Sequence, residues 1–264
     1  LTLSETVIRH ATARELAAAV GDDVSAIGLT LLSDAEGVRP LALRGTCGAE
    51  LAAEQRNVKA EDYPLTVAHY LYLSRRRLPA VARGFVAFTA SETAQGAVLA
   101  SGFVDQTIEN TSLSEQGDRL ARAILSSGEE IGAGALRTMV GALSGAERLT
   151  PTFRFRDGSA ELDGPSRANV ALVAQGIAGG AFDGGTLLVV GFSDGQGRAA
   201  ANLALSRERA AAVRVALETA VPAAARGRVR FDDRGFGEAL PIACDEDAWG
   251  RSVNRRVELW LRQR

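Results

Sequence analysis

From residue 148 onward the apolar positions fall into short runs and helical stripes that alternate along the chain. Residues 150–156 read as a strand. The loop Asp157-Gly158-Ser159 follows, then an amphipathic helix over about 166–177. Residues 187–190 form an apolar run that breaks at GFSDGQG, where Gly191, Gly195 and Gly197 bracket Asp194. Leu203, Ala210, Val213 and Leu217 then supply the apolar stripe of a helix. A strand over 228–234, a turn at 235–238 and a segment around Pro241 come next. The last strand, 254–262, alternates: Val257, Leu259 and Leu261 face one side, and Glu258, Trp260 and Arg262 the other. This order predicts an α/β (α+β) domain over 148–264, a mixed sheet with helices on one face.

The first half is patterned differently. Residues 4–20 read as a strand and an amphipathic helix closed by Gly21-Asp22, and 26–32 as a short apolar strand. An aromatic strand covers 69–73, a basic turn Arg75-Arg76-Arg77 follows, and one helix is expected from Pro79 to about Leu99, ending at Gly102-Phe103. Residues 112–125 read as an amphipathic helix with Ser112 or Ser114 as N-cap, 128–134 are glycine-rich, and 135–143 form a second short helix. The expected division is a domain over 1–108, a helical connector over 109–147 and a domain over 148–264.

In this first half Gly28, the Tyr63-Pro64-Leu65 segment, Tyr72, and Phe85, Phe88, Ser91, Gln95, Gly102 and Phe103 stand in the order found in one known family. The stretch resembles the later part of phosphate-type periplasmic substrate-binding proteins. The resemblance implies a partial α/β binding domain; a full-length form of that kind takes phosphate or another anion. The anion-binding loops of the family lie mostly in its earlier part, so no phosphate site is expected in these residues. Half of such a domain would expose apolar surface.

Composition narrows the function classes. With 30 basic and 32 acidic residues among 264, the charges nearly cancel, so no overall field draws the chain to nucleic acid or an anionic membrane. No apolar run reaches the ~18 residues of a membrane span, and no signal peptide is read at the start. Lys59 is the single lysine, which leaves Arg as the available cation for oxyanions. Cys47 and Cys244 fall in different halves and are expected as two separate thiols; Asp245, Glu246 and Asp247 would raise the pKa of Cys244 and leave it unreactive. His10 and His69 lie in unrelated segments, and no nucleophile, HExxH or paired-cysteine motif accompanies them. No catalytic residue, metal site or cofactor is therefore expected.

The loop around Asp194 carries the chemistry. Asn202 and Arg209 are seven residues apart on the following helix, within ~20° of each other, with Ser206 beside them. A carboxylate suits Arg209 and an ammonium suits Asp194, so the array fits a zwitterion. Spacing alone favours a plainer reading, an internal Asp194–Arg209 salt bridge with Asn202 as a cap. Arg255-Arg256 fits a structural role beside local acids such as Glu238 or Asp245 better than a nucleic-acid patch.

Gly191, Asp194, Gly197, Asn202, Leu205, Ser206, Arg209, Ala210 and Val213 stand in a G-x-x-D-x-x-G-x-x-x-x-N-x-x-L-S-x-x-R-A-x-x-V register, flanked by Gly235-Phe236-Gly237-Glu238 and Asn254-Arg255-Arg256-Val257-Glu258. This is similar to the signature of OmpA-like peptidoglycan-binding domains. The resemblance implies that Asp194 and Arg209 grip the meso-diaminopimelate of the stem peptide, with Asn202, Ser193 and Asp157 adding hydrogen bonds. It also implies the periplasm or cell envelope of a Gram-negative bacterium. The expected function is a non-enzymatic wall anchor for a solute-binding-like module. The alternative is a periplasmic phosphate or oxyanion receptor whose OmpA-like domain mediates protein contacts.

Overall fold

A strand survives only where a neighbour takes its backbone groups, and that condition divides this chain in two. The computed structural model describes residues 6–45, 50–74, 76–117, 119–121, 132–156 and 161–263. Two units emerge: one of Leu1–Leu43, Leu51–Lys59 and Leu65–Thr107, the other of Arg44–Glu50, Ala60–Pro64 and Ile108–Arg264. Two-residue strands β1 (Leu43–Arg44) and β2 (Glu50–Leu51) lie where the chain passes from one to the other.

The first unit is helical where it is regular: α1 (Ala13–Asp22), α2 (Gln55–Lys59), α3 (Ala80–Thr89) and α4 (Glu92–Ala100). Thr12 caps α1 by accepting from Glu15 N at 3.2 Å. The single helix expected over 79–99 is two. Ser91 leaves the helical conformation and accepts from Ala94 N at 3.3 Å, so the chain restarts there as α4. Gly102, at φ +77°, ends α4, and its N–H bonds Leu99 O at 2.9 Å. Lys59 Nζ reaches Asp105 at 2.5 Å and Thr107 O at 3.2 Å, tying α2 to the segment after α4.

The expected strands over 26–32 and 69–73 form no ladder among the described residues; Leu32–Asp34 is instead a 3-10 turn. Of the apolar residues described in this unit, only Ala17 and Ala94 are buried, while Ile27, Leu29, Tyr72 and Val81 stay at least 80% exposed. The sequence supplies an apolar run and an aromatic run, but among the described residues no neighbouring strand pairs with either.

The second unit is built on a five-stranded sheet in the order β3-β4-β7-β5-β6, from β3 (Asn110–Ser112), β4 (Glu147–Phe153), β5 (Thr186–Gly191), β6 (Arg230–Gly235) and β7 (Val257–Arg262). All pairs are antiparallel except β5 with β6, which are parallel. Pro151 falls where the β4–β7 register shifts, the place a strand tolerates a residue without an N–H. The stretch read as a connector supplies β3 and α5 (Ala133–Leu143) to this unit. Where a helix was expected from Ser112, the chain makes β3 and a 3-10 turn: Ser112 Oγ accepts from Glu115 N at 3.3 Å, and Glu115 accepts from Ser112 N at 2.8 Å. Gly117 and residues 119–121 are helical as expected, and the rest of that stretch lies outside the described residues, as does Arg75.

Helices α6 (Gly164–Ala178) and α7 (Ala199–Ala220) cover one sheet face. Their Val170, Val173, Ala210, Val213 and Leu217 bury against Phe153, Leu187, Val189, Val257 and Leu259. The other face is also covered, by Leu136, Met139 and Leu143 of α5 together with Phe192 and Leu240, over Leu188, Val190 and Trp260. Helices thus lie on both faces, because β7 is inserted in the middle of the sheet and both its sides need cover. A short helix α8 (Ala248–Asn254), capped by Asp247, precedes β7 where the strand was expected to begin.

Cys244 is disulfide-bonded, so the expectation of two separate, unreactive thiols is corrected. Cys47 lies outside the described residues.

Candidate functional site

The site loop leaves β5 through Gly191 because helix α7 lies flush on that end of the sheet. A Cβ on Gly191 would stand 2.0 Å from Ser206 O, and one on Gly235 2.4 Å from Arg207 N. Glycine at both positions lets α7 approach and sets where Asn202 and Arg209 stand.

A set of hydrogen bonds fixes the loop. Ser193 N donates to Gly237 O at 2.8 Å, and Gly195 N donates to Asp245 Oδ2 at 2.7 Å. Asn202 Nδ2 reaches Asp194 O at 3.2 Å, Gln196 O at 3.0 Å and Glu238 Oε1 at 3.0 Å. Asn202 is therefore a loop clamp, whereas spacing also fitted a helix cap. Ser206 Oγ accepts from Gly237 N at 3.0 Å and donates to Leu203 O at 2.9 Å. Asp245 is itself held by Asn254 Nδ2 at 2.7 Å, and fully buried Asn254 also accepts from Ile242 N and Ala243 N.

On this frame Asp194 is nine-tenths buried, and its carboxylate pairs with Arg255 Nη1 at 2.8 Å and accepts from Gln196 N at 3.3 Å. The internal Asp194–Arg209 bridge that spacing allowed does not form. Arg255, expected beside Glu238 or Asp245, is the partner Asp194 takes; sixty-one residues separate the two. No local signal marks that pairing beyond the position of Arg255 one residue after Asn254.

Arg209 is half-buried, with its guanidinium carbon 5.4 Å from the centroid of the Phe155 ring. Among the described residues its buried Nε and Nη1 have no hydrogen-bond partner. Burial lowers its pKa, the neighbouring charge of Arg255 lowers it further, and Asp194 and Glu208 oppose the shift. Ser193 Oγ, buried beside Asp194, also has no partner among the described residues. Asp157 lies outside the described residues.

Behind the loop a second charge cluster has a structural role. Glu258 is fully buried between Arg119, Arg148 and Arg256, with Arg256 Nε at 2.7 Å and Trp260 Nε1 donating at 3.0 Å. Arg148 also pairs with Asp62 at 2.7 Å. Burial alone would raise the Glu258 pKa, but the three guanidiniums reverse that and hold it well below the carboxylate range. Arg256 stacks over Phe192 at 4.4 Å and donates to Leu240 O at 2.9 Å. Among the described residues no group of three or more His, Cys, Asp or Glu side chains is placed to hold a metal ion.

Two guanidiniums and one carboxylate thus stand together at a glycine loop at the end of a mixed sheet. A sequence model of the OmpA family matches residues 154–255, which form an OmpA-like domain. Over 73 residues the chain is 41% identical to the probable lipoprotein YiaD of Escherichia coli (strain K12), covering 28% of this chain and 32% of that protein. The match thus spans about a third of that relative's length.

Among solved structures, the peptidoglycan-associated lipoprotein from Burkholderia pseudomallei is 27% identical, covering 42% of this chain and 89% of that one, with a TM-score of 0.36. The cell wall anchor of the T6SS from Pseudomonas aeruginosa is 25% identical, covering 52% and 100%, with a TM-score of 0.35. No described helix is long and apolar enough to cross a membrane.

Proposed function

We propose that the OmpA-like domain binds peptidoglycan non-covalently and without catalysis, and that its ligand is the meso-diaminopimelate of the stem peptide. The observation that carries this reading is Arg209, with two buried nitrogens lacking a partner beside the Asp194 loop. A buried donor left unpaired costs about 1–3 kcal/mol, which a ligand carboxylate relieves. The ligand's ammonium goes to Asp194, sharing that carboxylate with Arg255. Ser193 and Asp157 add hydrogen bonds, and Asn202 keeps the loop in shape. The OmpA family match supports the assignment of the domain.

The same reading makes the first unit a solute-binding-like module held at the wall, in the periplasm or cell envelope. A disulfide at Cys244 suits an oxidising compartment, and the relative in Escherichia coli is a probable lipoprotein. Phosphate titrated calorimetrically into this chain is expected to give no heat of binding.

The test of the wall reading is sedimentation with purified diaminopimelate-type sacculi. Wild type is expected in the pellet, and Asp194→Ala and Arg209→Ala in the supernatant, since losing one partner of a desolvated charge contact costs about 2–5 kcal/mol. Wild type remaining in the supernatant would end the wall reading. Variants that sediment like wild type would end the site assignment alone. Sacculi with lysine in place of diaminopimelate test the finer claim: equal retention on both removes diaminopimelate as the determinant.

A further inference from the structure

Strand β6 closes one side of the sheet and, among the described residues, pairs only with β5. Arg230 N donates to Gly185 O at 3.1 Å and Phe236 N to Gly191 O at 3.0 Å, so the even-numbered residues turn toward β5. In a parallel ladder alternate residues direct both backbone groups the other way. Phe231 and Asp233 therefore present N–H and C=O to the open edge.

A groove of about 790 Å³ runs along this edge, between β6 and the last turns of α7. Val215 and Thr219 of α7 face Val229 and Phe231 across it, and Val215 is half exposed. At one end Arg214 is neutralised twice, by Asp233 at 2.6 Å and by Glu218 at 2.9 Å. At the other end exposed Arg226 has no carboxylate partner among the described residues. None of these side chains belongs to the Asp194 site.

We propose that the β6 edge is a docking site for an extended polypeptide segment, which adds as a sixth strand, seats apolar side chains in the groove and sets an acidic residue against Arg226. The bare backbone groups of Phe231 and Asp233 call for a strand, because only a backbone supplies donors and acceptors at that spacing. Aliphatic and aromatic walls call for apolar residues on its inward face. Arg226 calls for acid, since Arg214 is already neutralised.

The probe is a fluorescent peptide, Thr-Val-Thr-Val-Thr-Asp-Asp, titrated into the full chain by anisotropy. Its counterpart ending in Lys-Lys and a version N-methylated at alternate residues serve as comparisons. The acidic peptide is expected to bind about tenfold more tightly than the lysine peptide, to shift the amide resonances of Phe231 and Asp233, and to lose binding when N-methylated. Arg226→Glu, a surface change that leaves the core intact, is expected to reverse the charge preference. Any of three results overturns the proposal: no binding of the acidic peptide, retained binding after N-methylation, or an unchanged preference in Arg226→Glu. Doubling of the molecular mass through this edge, seen by light scattering and abolished by Arg226→Glu, would assign it to a second copy instead.

Discussion

Glu258 is a residue whose environment decides its charge. It lies fully buried in the middle of the sheet, and three guanidiniums keep it ionised where burial alone would not. Replacing it by Gln leaves those cations facing each other in a dry interior, and the expected loss is about 3–5 kcal/mol by urea denaturation. The pH dependence has a definite sign. The folded pKa lies below the ordinary value of 4.5, so the stabilisation is complete above pH 4.5 and is lost as the pH falls through the folded value. Stability of wild type should decline below pH 4.5, and Glu258→Gln should flatten that decline. An equally steep decline in the variant would place the titration elsewhere. The sequence placed Glu258 on the opposite side from Val257 and Leu259, as observed, but a polar side of a strand does not announce that α5 will cover it.

At the scale of elements, the strand β5, its glycine loop and helix α7 were legible because their signals are local: an apolar run, a glycine cluster and a 3.6-residue stripe. Less legible was how closely they pack. Gly191 has no room for a side chain, since a Cβ would meet Ser206 O at 2.0 Å. Gly191→Ala must lift α7 from the sheet, costing about 3 kcal/mol and moving Asn202 and Arg209 together. Equilibrium unfolding and sacculus sedimentation should both worsen, unlike Arg209→Ala, which spares stability. Unchanged stability in Gly191→Ala would mean that the helix does not lie on this glycine. Helix α8 escaped the sequence because its seven residues carry no apolar period, although Asp247 accepting from Gly250 N at 2.6 Å shows the cap signal that was available.

The whole molecule joins a unit with a two-sided core to one whose described residues bury only two alanines among their apolar side chains. Cooperative unfolding should therefore report the second unit, and the disulfide at Cys244 belongs to it. Reduction with a phosphine is expected to lower the calorimetric midpoint by the equivalent of about 2–4 kcal/mol. A midpoint that does not move would show that the bridge constrains little of the unfolded chain.

Local pattern in the sequence determined the strands of residues 148–264 and their helices other than α8, the Asp194 loop and the positions of Asn202 and Arg209 on one helix face. These follow from periods of two and 3.6 residues and from glycine spacing, which act within a few residues. Tertiary structure alone decided that Asp194 takes Arg255, that Arg209 is left with two unpartnered nitrogens over Phe155, and that the polar side of β7 is buried. It also decided that residues 26–32 and 69–73 stay out of any described ladder. Each of these depends on which distant segment arrives as neighbour, and the charge, burial and strand pairing of a residue are properties of that neighbour as much as of the residue.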